Sequence, residues 1–317
     1  MLQILLIISP IFLLIAAGYA AVRLGMVTKA HLPGMGGFLL YFAMPALIVR
    51  ALVSRPLAEV VNTGYLAAYG AGSLFAFSLG LCVSYFVQRR GLQASAIGAL
   101  GMAASNSGFI GYPIADLVLG PPAGLALALC MMVENILIIP TALALAEAGS
   151  QAGLPLRDVL RATALRLVRN PIMLAILAGV AISALGAKLP PPLFKAVDML
   201  ATASAPIALF VIGGTLVGLQ VRGLGYQVVP IVVGKLFVHP AAVLAALTLL
   251  GSRNPAFLSP DLRSAAVIMA SVPMLSIYPI FGQRYGLDKI CAAALLASTM
   301  ASIATISTVI WLLGVPA

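Results

Sequence analysis

Long apolar runs, separated by short clusters of charge, glycine and proline, make up most of the chain. Cutting at those clusters leaves ten stretches near the ~20 residues that cross a bilayer as a helix. They are 2–22, 34–54, 62–87, 95–118, 122–145, 170–187, 195–219, 226–250, 262–285 and 288–314. Two of them are polar at the centre: the fourth contains SNSGFIGYPI (Ser105–Ile114) and the ninth SVPMLSIYPI (Ser271–Ile280). Proline removes a backbone N–H and crowds the preceding turn, so both spans are predicted to break near Tyr112-Pro113 and Tyr278-Pro279. Unwound backbone at membrane depth is tolerated only where it is buried in protein or lines a cavity.

The pattern repeats. PIFLLIAAGYAAVRLG (Pro10–Gly25) aligns without a gap on PIMLAILAGVAISALG (Pro171–Gly186), and the same offset lays Pro45 on Pro206 and Tyr65 on Tyr226. After a small insertion before the ninth span, Tyr112 matches Tyr278, Pro113 matches Pro279 and Gly120 matches Gly286. Leu, Ala and Ile match cheaply between any two apolar helices, whereas Pro and Gly holding one register do not. The predicted organisation is a first five-helix repeat (1–145), a linker (146–169) and a second repeat (170–317). An odd number of spans sends the second copy into the membrane upside down. Such inverted repeats are the build of alternating-access transporters, whose sites form where broken helices meet.

Composition agrees with this reading. Hydrophobic residues make up 62% of the 317 and charged residues 8%, with mean hydropathy +1.13. A water-soluble domain carries roughly a quarter charged residues. The net charge of +10 is scattered between apolar runs, which argues against nucleic acid as a partner and for loop charges on a membrane protein. With the N-terminus outside, the inner loops hold Arg23, Lys29, Arg89, Arg90, Arg157, Arg161, Arg166, Arg169, Arg222, Arg284 and Lys289. The outer side holds Arg50, Arg55, Lys188, Lys195, Arg253 and Arg263, so both termini are predicted outside and the linker in the cytoplasm. LRDVLRATALRLVRN, within that linker, reads either as a basic amphipathic helix on the membrane or as a solvated connection. The N-terminus lacks a basic leader region and reads as a retained first span. Cys82, Cys130 and Cys291 lie inside apolar runs without ligand spacing and are expected to be packing residues.

At these motifs the chain resembles the auxin efflux carrier family. The resemblance rests on SNSGFIGYPI, NPIMLAILAG (Asn170–Gly179), SAPIALFVIGG (Ser204–Gly214), KLFVHP (Lys235–Pro240) and FGQRYG (Phe281–Gly286), in that order over nearly the whole chain. It implies an all-α polytopic membrane protein of ten transmembrane helices, two inverted five-helix repeats with broken helices 4 and 9 crossing at the centre. It further implies a secondary carrier of small organic anions, with the family's carboxylate-binding Asn falling on Asn106. The long cytoplasmic loop of plant members is absent, and Val272-Pro273-Met274 replaces a second Asn-rich segment. With VENILIIP (Val133–Pro140), the chain looks most like the bacterial malonate-carrier branch of the inner membrane.

Ionisable groups at membrane depth are functional suspects. Glu134 lies ~18 Å and Lys235 ~14 Å into their spans at the helical rise, and His239 follows Lys235 on the same face. Glu134 and Lys235 read either as a structural pair or as working groups, Lys235 attracting the anion and Glu134 or His239 coupling protons. The candidate substrate-binding residues are Ser105, Asn106, Ser107, Gly108, Tyr112, Ser271, Met274, Ser276, Tyr278, Lys235 and Asn135, with Pro113 and Pro279 at the crossover. Partners expected are a small carboxylate, the bilayer, protons as coupling ion and a second copy in a homodimer; no cofactor and no metal is expected. Three alternatives stay open: a sodium-coupled symporter resembling the bile-acid carriers, an intramembrane enzyme, or a sensor.

Overall fold

The computed structural model describes residues 2–53, 55–150, 161, 165, 168–218, 225–253 and 258–314. Most of the linker, including most of the predicted amphipathic stretch, lies outside the described residues, as do Arg157, Arg166 and Arg222. The described residues form helices: α1 (Leu2–Arg23), α2 (Lys29–Val53), α3 (Thr63–Val87), α4 (Leu92–Ala103), α5 (Ser107–Leu119) and α6 (Pro122–Ala148). After the linker come α7 (Pro171–Ala184), α8 (Pro191–Thr215), α9 (Gly225–Ser252), α10 (Pro260–Ser271), α11 (Tyr278–Gln283) and α12 (Asp288–Leu312). Six of them, α2, α3, α6, α8, α9 and α12, are long and apolar enough to cross a membrane.

Local chemistry sets the boundaries. Asn62, Asn170 and Ser259 accept from backbone N–H groups one turn into α3, α7 and α10. Proline in the first turn opens α6, α7, α8 and α10, where its missing N–H costs nothing.

Inside the helices four prolines are accommodated by a widened turn, among them Pro113, where the sequence predicts a break. Five π-turns occur among the described residues, at Leu39–Ala43, Val83–Val87, Ser107–Gly111, Glu134–Ile138 and Gly234–Val238. All but Val83–Val87, which ends its helix, are followed one residue later by a proline: Pro45, Pro113, Pro140 and Pro240. The ring would strike the carbonyl four residues back, and a widened turn moves that carbonyl aside. Thus Pro113 widens α5 rather than breaking it. The interruption lies upstream, at Ala104–Asn106, with Ala104 extended (φ −106°, ψ 137°). In the ninth predicted span the interruption covers 272–277, and Tyr278-Pro279 opens the short helix that follows. Pro10, Pro206 and Pro230 sit inside helices without such a turn.

Packing sorts the helices into two groups. α1, α2, α7 and α8 pack on one another, and α3, α4, α6, α9, α10 and α12 pack on one another. Glycine permits the closest approaches. A Cβ on Gly18 would strike the Phe210 carbonyl of α8, and one on Gly213 would strike the Ile15 carbonyl of α1. A continuous buried core runs from Ile11 to Ile310. Large apolar side chains also point outward, among them Phe75, Phe86, Phe237 and Trp311. A water-facing monomer does not expose this much apolar surface; a lipid-facing one must.

Candidate functional site

The two interruptions meet. Ser105 and Met274 form an isolated antiparallel bridge, and the Asn106 N–H donates to the Pro273 carbonyl at 2.7 Å. Each unwound segment thus supplies part of the pairing that the other lacks.

Around this junction stands a buried ionic cluster. Lys235, on the widened turn of α9, is fully buried and donates to Ser105 Oγ at 2.6 Å and to the Ala270 carbonyl at 2.9 Å. Its third contact, at 2.7 Å, is His239 Nδ1, one turn along α9. His239 Nε2 then reaches Ser73 Oγ of α3 at 2.9 Å. If Nδ1 accepts from the ammonium, Nε2 carries the proton and donates to Ser73. Glu134, on the widened turn of α6, accepts from the Ser105 N–H at 2.7 Å, from Ser107 Oγ at 3.1 Å and from the Cys130 thiol at 3.6 Å. No direct Glu134–Lys235 bond is made among the described residues. Ser105 stands between them, its N–H on the carboxylate and its hydroxyl on the ammonium.

Other candidates fall elsewhere. Ser271 Oγ donates to Val267 in its own helix. Tyr278 OH donates to the Ile97 carbonyl of α4 at 3.0 Å. Asn135 donates to Met131 and accepts from Asn170 at the entrance of α7, a polar contact between helices. Gly108 lies against the methyl end of Met44, leaving no room for a side chain. Tyr112 accepts from Arg50 Nη2 at 3.3 Å on the wall of a cleft of ≈ 590 Å³ lined also by Arg55, Glu59 and Asp116. Arg50 is further paired with Asp198 of α8 at 2.9 Å.

Three side-chain nitrogen or oxygen atoms near the junction are buried without a hydrogen-bond partner: Asn106 Nδ2, Ser276 Oγ and Tyr65 OH. A buried amide donor left unpaired costs about 1–3 kcal/mol, so it marks a site with a further task or strain.

Sequence reasoning missed Ser73, Tyr69 and Cys130. Tyr69 OH lies 3.3 Å from Ser105 Oγ, and its ring packs edge-on against His239. Tyr65, Tyr69 and Ser73 recur every four residues, so a polar stripe along one face of the third span was the available signal. Cys130, one turn before Glu134, does more than pack, since its thiol points at the carboxylate.

An all-helical, lipid-facing chain with a charged centre between interrupted helices is built as an integral membrane transport protein. The family described as Membrane transport protein matches residues 4–312, and the chain belongs to it, within the auxin efflux carriers. It is 29% identical over 308 residues to a Rhizobium meliloti (strain 1021) protein named "Putative malonate transporter", covering 97% of this chain and 95% of that one. It is also 24% identical over 326 residues to the mouse (Mus musculus) "Lysosomal cholesterol signaling protein", covering 96% of this chain and 37% of that longer one.

Proposed function

We propose that the chain is a secondary carrier of small carboxylates, malonate being the first substrate to test, with the crossing of the interrupted helices as its site. The observation that carries this reading is Asn106: buried, at the start of α5, with an amide Nδ2 that has no acceptor. The first N–H groups of a helix have no intrahelical partner and favour negative charge. α5, with its thirteen residues from Ser107 to Leu119, offers such an end; α11, with six, does not. A carboxylate placed there would accept from Asn106 Nδ2 and from the backbone.

In this reading the chain is two inverted five-helix repeats, 1–145 and 170–317, joined by a cytoplasmic linker, with both termini outside. Two pairs of left-handed glycines at repeat-related positions support it: Gly25 (φ 76°) with Gly186 (φ 60°), and Gly120 (φ 68°) with Gly286 (φ 70°). The two packing groups of helices support alternating access, the α3-containing group carrying the site past the α1, α2, α7, α8 group. Glu134 and His239 are the proton-coupling candidates because both bond into the junction. The relative named for malonate supports the substrate class.

Uptake of labelled malonate into proteoliposomes, with and without an imposed proton gradient, tests the reading. Gradient-dependent uptake by the wild type, reduced at least tenfold in Asn106→Ala, is the expected result. Wild-type uptake unchanged in Asn106→Ala moves the site elsewhere, and no uptake by folded protein removes malonate as the substrate.

A further inference from the structure

The buried ammonium of Lys235 is surrounded as a bound cation is. An ammonium has three N–H donors and no acceptor. Here three acceptors meet it: a hydroxyl oxygen from the first interruption (Ser105), a backbone carbonyl from the end of α10 (Ala270) and an imidazole nitrogen (His239). The positions matter as much as the atoms. Ala270 is the penultimate residue of α10, and Ser105 lies two residues beyond the end of α4. The last carbonyls of a helix have no intrahelical partner, and the helix dipole makes that end negative. The ammonium thus takes a terminal carbonyl of α10 directly, and a hydroxyl two residues past the end of α4.

Charge balance completes the arrangement. An isolated buried ammonium is costly, and a countercharge with satisfied hydrogen bonds offsets that cost. Glu134 supplies it one residue away, through the Ser105 N–H, and its own oxygens are satisfied by Ser105, Ser107 and Cys130. In broken-helix carriers, unwound carbonyls and half-helix C-terminal ends are the groups that coordinate a free coupling cation. Here a side chain of the protein itself takes up those groups.

We propose that the Lys235 ammonium is a built-in cation, occupying at the helix crossing the place a free monovalent cation would take, so that the transport cycle requires no bound metal cation. This rests on the crossing being the transport site, and it answers the sodium-coupled alternative with a structural reason. A sodium ion and the ammonium compete for one set of ligands, and the tethered group is always present. Lys235 is thus a positioning residue that holds the two unwound segments together, and its attraction for the anion acts through Ser105.

The test is thermal unfolding of the purified full chain in detergent, at constant ionic strength, in choline, sodium or n-propylammonium chloride. Lys235→Ala removes three methylenes and the ammonium, which is the outline of propylammonium. Lys235→Met fills the space without the charge. The expected result is a wild type indifferent to all three salts and a Lys235→Ala variant of lower melting temperature. Propylammonium, and more weakly sodium, should raise that temperature by several degrees, and Lys235→Met should be destabilised without responding to either. Stabilisation of the wild type by sodium overturns the proposal without the need for any variant. A folded Lys235→Ala that ignores both cations, or a Lys235→Met as stable as the wild type, overturns it as well. Unfolding is read without substrate, so a failure of malonate as the cargo leaves this result standing.

Discussion

Lys235 and Ser105, 130 residues apart in sequence, meet at 2.6 Å in the interior, and through that contact the two halves of the chain share one charged centre. Ser105 serves both charges at once, with its N–H on Glu134 and its hydroxyl on Lys235. Ser105→Ala keeps the first bond and removes the second. The lost bond involves a charged donor, so the variant should lose about 1.5–3 kcal/mol, read as a lower melting temperature in detergent. Ser105→Thr, which keeps the hydroxyl, should recover most of it.

Glu134→Gln retains a carbonyl acceptor for the Ser105 N–H but removes the countercharge of a fully buried ammonium. Breaking one side of a buried charge arrangement costs about 3–5 kcal/mol, whereas replacing both sides with matched neutral groups costs far less. The double variant Glu134→Gln/Lys235→Met should therefore be more stable than the sum of the single effects predicts. A double-mutant cycle on melting temperatures measures the coupling, and strict additivity would mean that the two charges do not depend on each other.

The Arg50–Asp198 pair joins α2 to α8 beside the cleft and is partly solvent-exposed, so its contribution to stability is small. Asp198→Asn should leave the melting temperature close to that of the wild type. Because Arg50 also reaches Tyr112 on α5, the same variant should change uptake kinetics more than stability. Initial uptake rates across substrate concentrations, set against the melting curve, separate the two effects.

Close backbone approaches give a contrast between glycines. A Cβ on Gly72 would lie 2.6 Å from Val243 Cα, and neither backbone can move independently. Gly72→Ala should cost about 1–3 kcal/mol as an overpacked contact. A Cβ on Gly36 has nothing within 4 Å in an ordinary helical conformation, so Gly36→Ala should stabilise by about 0.5–1 kcal/mol. Expression level and melting temperature of the two variants should move in opposite directions.

Much of this protein is legible along the chain. The apolar runs locate the helices, and the polar centres of SNSGFIGYPI and SVPMLSIYPI locate both interruptions to within a few residues. Glu134, Lys235 and His239 stand out because charge at membrane depth is expensive wherever it occurs. Pro113 misleads: read as a breaker, it instead follows a widened turn, as Pro45, Pro140 and Pro240 do, because a helix with neighbours can relocate one carbonyl more cheaply than it can unwind. The interruption in the fourth span instead falls at Ala104–Asn106, where the other unwound segment offers the Pro273 carbonyl as a partner.

The sequence by itself determined the class: composition and periodicity are sums over residues, and a chain 62% hydrophobic and 8% charged has no other solvent than lipid for its surface. It also marked which residues carry an energetic cost. What it did not hold is how that cost is met. Glu134 and Lys235 read equally well as a direct ion pair until the fold puts Ser105 between them. Tyr69 and Ser73 show only a polar stripe along the third span, and Ala270 shows nothing, until their helices converge on Ser105, His239 and the ammonium. Hydrogen bonds are short and directional, so their partners are decided by where helices cross, and only the tertiary structure brings residues 105, 134, 235 and 270 together.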